Sequence, residues 1–178
     1  VSASRDLVVY FRDVPAENTR EVRGFTEIAA PPETIFRTVT DFAHYPQFMP
    51  YTKDEKILDR VNDHVVITYS LVTPPLIAPR DSIAQITMTP GTAENGYVYR
   101  SEWSARPTMI PEKKGIVRIK VSEGFWNLEP IDGGKRTRVT YNVLTNPGGQ
   151  VPRLFLDMST NQGLSDLFNA IRKQLARK

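Results

Sequence analysis

PRLFLDMSTNQGLSDLFNAIRKQLA, residues 152–176, is the stretch whose reading decides the fold. No proline follows Pro152, so the run is expected to form one helix, roughly 37 Å long at 1.5 Å per residue. Leu156, Thr160, Leu164, Leu167, Ile171 and Leu175 recur at spacings of three and four and share one face. Leu154, Phe155 and Met158 fall off that face, where they are expected to dock on a neighbouring strand or to meet a membrane. Arg172, Lys173, Arg177 and Lys178 crowd the C-terminus, where the helix dipole favours cations. Gly163 costs about 1 kcal/mol relative to alanine in mid-helix, and close packing on a sheet is the expected reason for it.

Upstream the apolar period changes from the helical to the strand repeat. Residues 53–61, 64–73, 81–89, 96–105, 116–129 and 135–145 read as six strands. Asn62-Asp63, Pro90-Gly91, Asn95-Gly96 and Asp132-Gly133-Gly134 are the turns between most of them. Two longer loops interrupt the series, residues 74–79 and 106–115. Further back, Pro31-Pro32-Glu33 opens a short helix over 32–41 with Ile35, Phe36 and Val39 as its apolar stripe, and Tyr45–Pro50 breaks it. Residues 7–12 and 20–28 are two more strands, joined by a turn at 15–18. One amphipathic helix covers only part of a face of an eight-stranded antiparallel sheet, so the economical arrangement curls the sheet around it. The expected fold is a single α+β domain over 1–178, with space between sheet and helix.

Composition narrows the chemistry. With no cysteine there is no disulfide, thiolate metal site or thiol nucleophile. The two histidines, His44 and His64, lack metal-ligand spacing, and no metal or cofactor is expected. No nucleophile elbow, P-loop or dinucleotide fingerprint occurs, so no catalytic residue is assigned. No apolar run reaches the roughly 20 residues of a membrane-spanning helix. A net charge of +3 is a weak attraction to anionic surfaces, and nucleic acid is not expected as a partner.

Several strings, in order, resemble the START lipid-transfer domain. They are Ala78-Pro79-Arg80-Asp81 at a strand entrance, the segment from Pro111 to Arg118, Gly124-Phe125-Trp126-Asn127-Leu128-Glu129-Pro130, Thr137-Arg138-Val139-Thr140-Tyr141, and Pro147-Gly148-Gly149 before the helix. The likeness covers about 20–175. It implies a helix-grip (START or Bet v 1-like, SRPBCC) fold with an internal tunnel for sterols, phospholipids or similar molecules, gated by the 106–115 loop and the last helix. The segment Tyr45–Pro50 is also similar to the quinone-binding branch of the superfamily. Cholesterol carriers of the family place an acid and an arginine on neighbouring strands. Here those places fall on Ser70 and Ile86, which speaks against a cholesterol-type mode. The resemblance turns Ser70 inward, whereas the apolar alternation of Val65, Ile67, Tyr69 and Leu71 turns it outward.

The expected function is non-enzymatic binding and transfer of one hydrophobic molecule or lipid by a monomer, with transient membrane-surface contact. Polyketide cyclases of the superfamily supply the rival reading. Ile86, Met88, Trp103, Tyr141, Val143, Leu164, Leu167, Phe168 and Ile171 are the expected wall, Met109 and Ile110 the gate, and Ser70 the polar contact. Tyr97, Tyr99 and Trp103 are expected to alternate on one face. Arg80, Asp81 and Arg118 are expected to fix a loop.

Overall fold

The computed structural model describes residues 2–4, 7–17, 19–149 and 153–177, with the side chains of 2–4 and 153–161 outside that description. The strands are β1 (Ser2–Ser4), β2 (Leu7–Val14), β3 (Thr19–Ile28), β4 (Thr52–Asn62), β5 (Val65–Val72), β6 (Arg80–Thr89), β7 (Tyr99–Ala105), β8 (Val117–Arg118), β9 (Val121–Ile131) and β10 (Arg136–Asn146). The helices are α1 (Pro32–Val39), the single turn α2 (Tyr45–Phe48) and α3 (Arg153–Leu175). One sheet runs β1-β2-β3-β10-β9-β7-β6-β5-β4, antiparallel throughout, and β8 pairs in parallel with β6 off this path. The helices lie on one side of it, which is the α+β helix-grip arrangement.

That inner side is set by alternation. Leu7 and Val9 on β2, Val22 on β3, Val139 on β10, and Trp126 and Leu128 on β9 turn inward. They pack with Ile35 and Val39 of α1 and with Leu164, Phe168 and Ile171 of α3. The two helices meet the sheet differently. Phe36 of α1 packs on Tyr99 with ring centroids 5.1 Å apart and planes tilted by 49°. The second half of α3 sits on β3, where a Cβ at Gly24 would stand 3.2 Å from Phe168 and 3.3 Å from Leu164. The glycine that permits close approach is therefore on the strand. A Cβ at Gly163 would meet nothing within 4 Å among the described residues, the sheet included, so the packing reason expected for that residue is wrong.

Three further expectations need correction. The 116–129 run is two strands, because Val117 and Arg118 pair with the start of β6 before the chain crosses to β9. Strand β7 begins at Tyr99, since Gly96 and Tyr97 both adopt positive φ in a turn held by the Asn95 side chain. Tyr97 is thereby 58% exposed and leaves the aromatic stripe. Tyr45–Phe48 forms a helical turn of its own, with Pro46 in its first turn, where a missing N–H costs nothing.

The edges are guarded differently. Strand β4 carries three register irregularities against β5 and the charged run Lys53-Asp54-Glu55-Lys56, two devices that disfavour pairing with another chain. On the outer face Arg100 lies 3.9 Å from the Phe125 ring and Arg23 donates to Asn142 at 2.8 Å, giving a polar, aromatic surface.

Candidate functional site

Register aligns a row of inner-face residues across the sheet. Val22, Val143, Gly124, Trp103, Ile86 and Val66 are successive cross-strand partners from β3 to β5. A second row runs Gly24, Tyr141, Trp126, Ser101, Met88. Gly124 has a specific duty in the first row. A Cβ there would fall 2.5 Å from the Trp103 indole and 2.1 Å from the Asn142 carbonyl oxygen, so only glycine lets the indole cross β9. Trp103 Nε1 donates to Ser122 Oγ at 3.2 Å, and its ring lies 5.7 Å from Tyr141. Tyr141 in turn stands 4.5 Å from Trp126 and 6.4 Å from Phe168.

Expected wall residues divide into two groups. Met88, Trp103, Tyr141 and Val143 are half-buried although they face inward, and Ile86 beside them is 8% exposed. They form a contiguous apolar and aromatic belt with surface to spare. Leu164, Phe168 and Ile171 are 5%, 0% and 0% exposed and belong to the packed core, with Leu167 half-buried against it. The side chains of Leu154, Phe155, Leu156, Met158 and Thr160 lie outside the described residues.

Ser70 faces inward, and the outward reading from alternation is corrected. Both faces of β5 are covered: Ile67 and Tyr69 pack with Ile83, Leu71 and Ile110 on the outer side, while Val66, Thr68 and Ser70 face in. A strand buried on both faces loses the polar–apolar contrast that reveals orientation. The Ser70 hydroxyl donates to Glu55 Oε2, its cross-strand partner on β4. Glu55 is 7% exposed. Burial raises its acid from the ordinary 4.5 to about 7, opposed by hydrogen bonds from Ser70 and Thr68 and helped by the nearby Asp54 charge. Tyr45, between β4 and α1, donates its hydroxyl to the Val39 carbonyl, and burial beside Glu55 pushes its phenol well up. Burial likewise raises the Tyr141 phenol.

Sequence reasoning missed Glu55. It stands in a run that reads as solvated charge, and the irregularity between Thr52 and Asp54 breaks the alternation that would have turned it inward. The one available signal was its pairing with Ser70, which requires the hairpin register.

The loop expected as a gate is pinned to the outer face. Arg118 Nε and Nη2 bind Asp81 at 2.7 and 3.1 Å, and the same guanidinium donates to the carbonyls of Pro107, Ile110 and Pro111 at 2.6, 2.9 and 3.2 Å. Ile110 consequently packs on Ile67, Tyr69 and Ile83, opposite the Trp103 belt, and Met109 is 46% exposed. Lys113 adds a hydrogen bond of 3.1 Å to the Tyr69 hydroxyl. Asp81 pairs with Arg118; the adjacent Arg80 instead donates to the carbonyls of Ala78 and, at 3.4 Å, Gly148, and its buried Nε has no partner among the described residues. No group of three metal-ligating side chains occurs among the described residues, and none of their helices is long and apolar enough to cross a membrane.

A model of the family described as "polyketide cyclase / dehydrase and lipid transport" matches residues 28–172. An uncharacterised protein of Pseudomonas aeruginosa is 34% identical over 145 residues, covering 81% of this chain and 69% of its own length. Among solved structures, a STAR-related lipid transfer protein of Xanthomonas axonopodis is similar with a TM-score of 0.85 at 24% identity, over 99% of this chain and 97% of that one. Human StAR-related lipid transfer protein 5 gives 0.88 at 15% identity, over 99% and 85%. The Zhui aromatase/cyclase of Streptomyces sp. R1128 gives 0.64 at 15% identity, over 89% and 94%. At these identities the solved structures establish the START-like helix-grip fold and nothing finer.

Proposed function

The chain belongs to the polyketide cyclase/dehydrase and lipid-transport family, and on that premise we propose that it binds one hydrophobic, lipid-like molecule against the inner face of its sheet and transfers it between membranes. The observation that carries this reading is the inward-facing belt of Met88, Trp103, Tyr141 and Val143, large side chains that are only half-buried, with the buried Ile86 beside them. Removing a lipid tail from water contributes about 0.8 kcal/mol per methylene. An apolar wall of this kind therefore competes with a bilayer for the tail without any covalent step. The excess of positive charge favours brief contact with an anionic surface during exchange.

The two tryptophans of the chain, Trp103 and Trp126, both stand in or beside the belt. Their emission is thus a direct reporter of occupancy. Titration with vesicles containing a phospholipid, a sterol or a quinone should give a saturable change for the class that binds, and filling the belt with Val143→Trp should abolish uptake. Unchanged transfer by that variant between donor and acceptor vesicles would count against the belt as the binding surface.

One observation favours a second reading, cyclase-like catalysis: Glu55 is a buried acid titrating near 7, poised for proton transfer. Its polar neighbours are the hydroxyls of Ser70 and Thr68, and no basic side chain is hydrogen-bonded to it among the described residues. Turnover of an aromatic polyketide that is lost in Glu55→Gln would establish catalysis.

A further inference from the structure

Glu55 is a buried acid on an inner face whose other polar side chains include the neutral hydroxyls of Thr68, Ser70 and Ser101, and its surroundings restrict what it can receive. Its carboxyl takes hydrogen bonds from Ser70 and Thr68 on β5. From its own strand, Asp54 adds a second negative charge, and Lys56 is occupied with Asp54 at 2.7 Å. From the 41–48 segment Tyr45 feels its charge and that of Asp41, and its phenol is a poor acid here. From β10 the phenol of Tyr141 lies beyond Tyr45. Arg80 on β6 turns its guanidinium to the Ala78 and Gly148 carbonyls. The side chains of Arg153 and Asp157 in the first half of α3 lie outside the described residues. No cation is paired with Glu55 among the described residues, so a second anion would enter a poorly solvated site already holding one acid.

Resting on the lipid-binding reading, we propose that the Glu55–Ser70 pair selects lipids whose polar end is uncharged and carries a carbonyl or hydroxyl oxygen, and rejects those that end in phosphate. The carboxyl has two ways to meet such an oxygen. In its neutral form it donates one O–H to a carbonyl or hydroxyl lone pair, while the other oxygen keeps the bond from Ser70. In its ionised form it accepts from a hydroxyl. Neither form compensates a buried phosphate, which requires cationic or multiple N–H donors. Ser70 therefore acts as a positioning residue that fixes the carboxyl, and the acid–arginine arrangement of cholesterol carriers is absent at Ser70 and Ile86.

The test uses two probes that differ only at the head: a diacylglycerol and a phosphatidate bearing the same pyrene-labelled chain. Each is offered to the whole, delipidated chain, with energy transfer from Trp103 and Trp126 as readout. The diacylglycerol should bind about tenfold tighter or better, since a desolvated like-charge contact readily costs that much. Glu55→Gln keeps the shape and the acceptor for Ser70 and removes the charge, so it should narrow the gap to within about threefold by strengthening phosphatidate binding. Circular dichroism and thermal unfolding confirm that the variant is folded, and the wild-type ratio stands independently of any variant. Equal or tighter phosphatidate binding by the wild type overturns the inference and leaves lipid binding intact. Failure of the wild type to bind either probe, or any phospholipid, sterol or quinone, removes the lipid-binding reading and this inference with it.

Discussion

Replacing Arg118 with methionine tests whether the 106–115 loop is held by one buried guanidinium. The side chain is fully buried, as is Asp81, and it makes two charge-assisted bonds to that carboxylate and three to the loop carbonyls of Pro107, Ile110 and Pro111. Methionine fills most of the volume and leaves the Asp81 charge without a partner. Breaking a buried pair from one side costs about 3–5 kcal/mol. At roughly 2–4 °C per kcal/mol for a chain of this size, the midpoint should fall by about 6–20 °C. Denaturant unfolding followed by fluorescence gives the free energy, and limited trypsinolysis after Lys113 and Lys114 reports on the loop itself. The double variant Asp81→Leu, Arg118→Met separates the two roles. It should regain most of the lost stability, because no charge is stranded, while tryptic cleavage of the loop stays fast, because the three carbonyls remain unheld. A loss below about 1 kcal/mol in the single variant, the range of an exposed ion pair, would refute the reasoning. So would a double variant as unstable as the single one.

Gly124→Ala should destabilise by about 1–3 kcal/mol through overpacking and shift tryptophan emission, since its Cβ would collide with the Asn142 carbonyl and the Trp103 indole; unfolding curves and emission spectra check both. Phe168→Ala should cost about 3–5 kcal/mol in denaturant unfolding, because the ring is fully enclosed between Trp126, Tyr141 and Gly24. Glu55→Gln should stabilise the fold above pH 7 by up to about 3 kcal/mol, with the difference vanishing near pH 4.5. The unfolded chain releases this proton near 4.5 and the folded chain near 7, so ionisation opposes folding and wild-type stability falls as pH rises through that window. Thermal midpoints of both proteins between pH 4.5 and 8.5 decide it.

Much of the architecture was legible because it depends on local periodicity. The last helix, α3, the order of strands and the inward course of Ile86, Met88, Trp103, Tyr141 and Val143 follow from repeats of 3.6 and 2. Alternation alone misled where a second layer overrode it. Ser70 faces in because the loop carrying Ile110 buries the opposite face of β5, which no strand pattern announces. Ile110 faces away from the belt because Arg118 and Asp81, 37 positions apart, draw the loop across the outer side. Tyr97 left the stripe because the Asn95 side chain prolongs the turn. Glu55 was hidden by its charged neighbours and by an irregular edge strand, and it became a site only when hairpin pairing set it against Ser70.

The central claim is that the inner face holds a lipid. Native mass spectrometry with organic extraction, on protein purified from its own host, tests it most directly. The account predicts a stoichiometric co-purifying lipid, and the Glu55 site further predicts that its head is uncharged. An empty protein that also fails to take up sterols, phospholipids and quinones would contradict the claim.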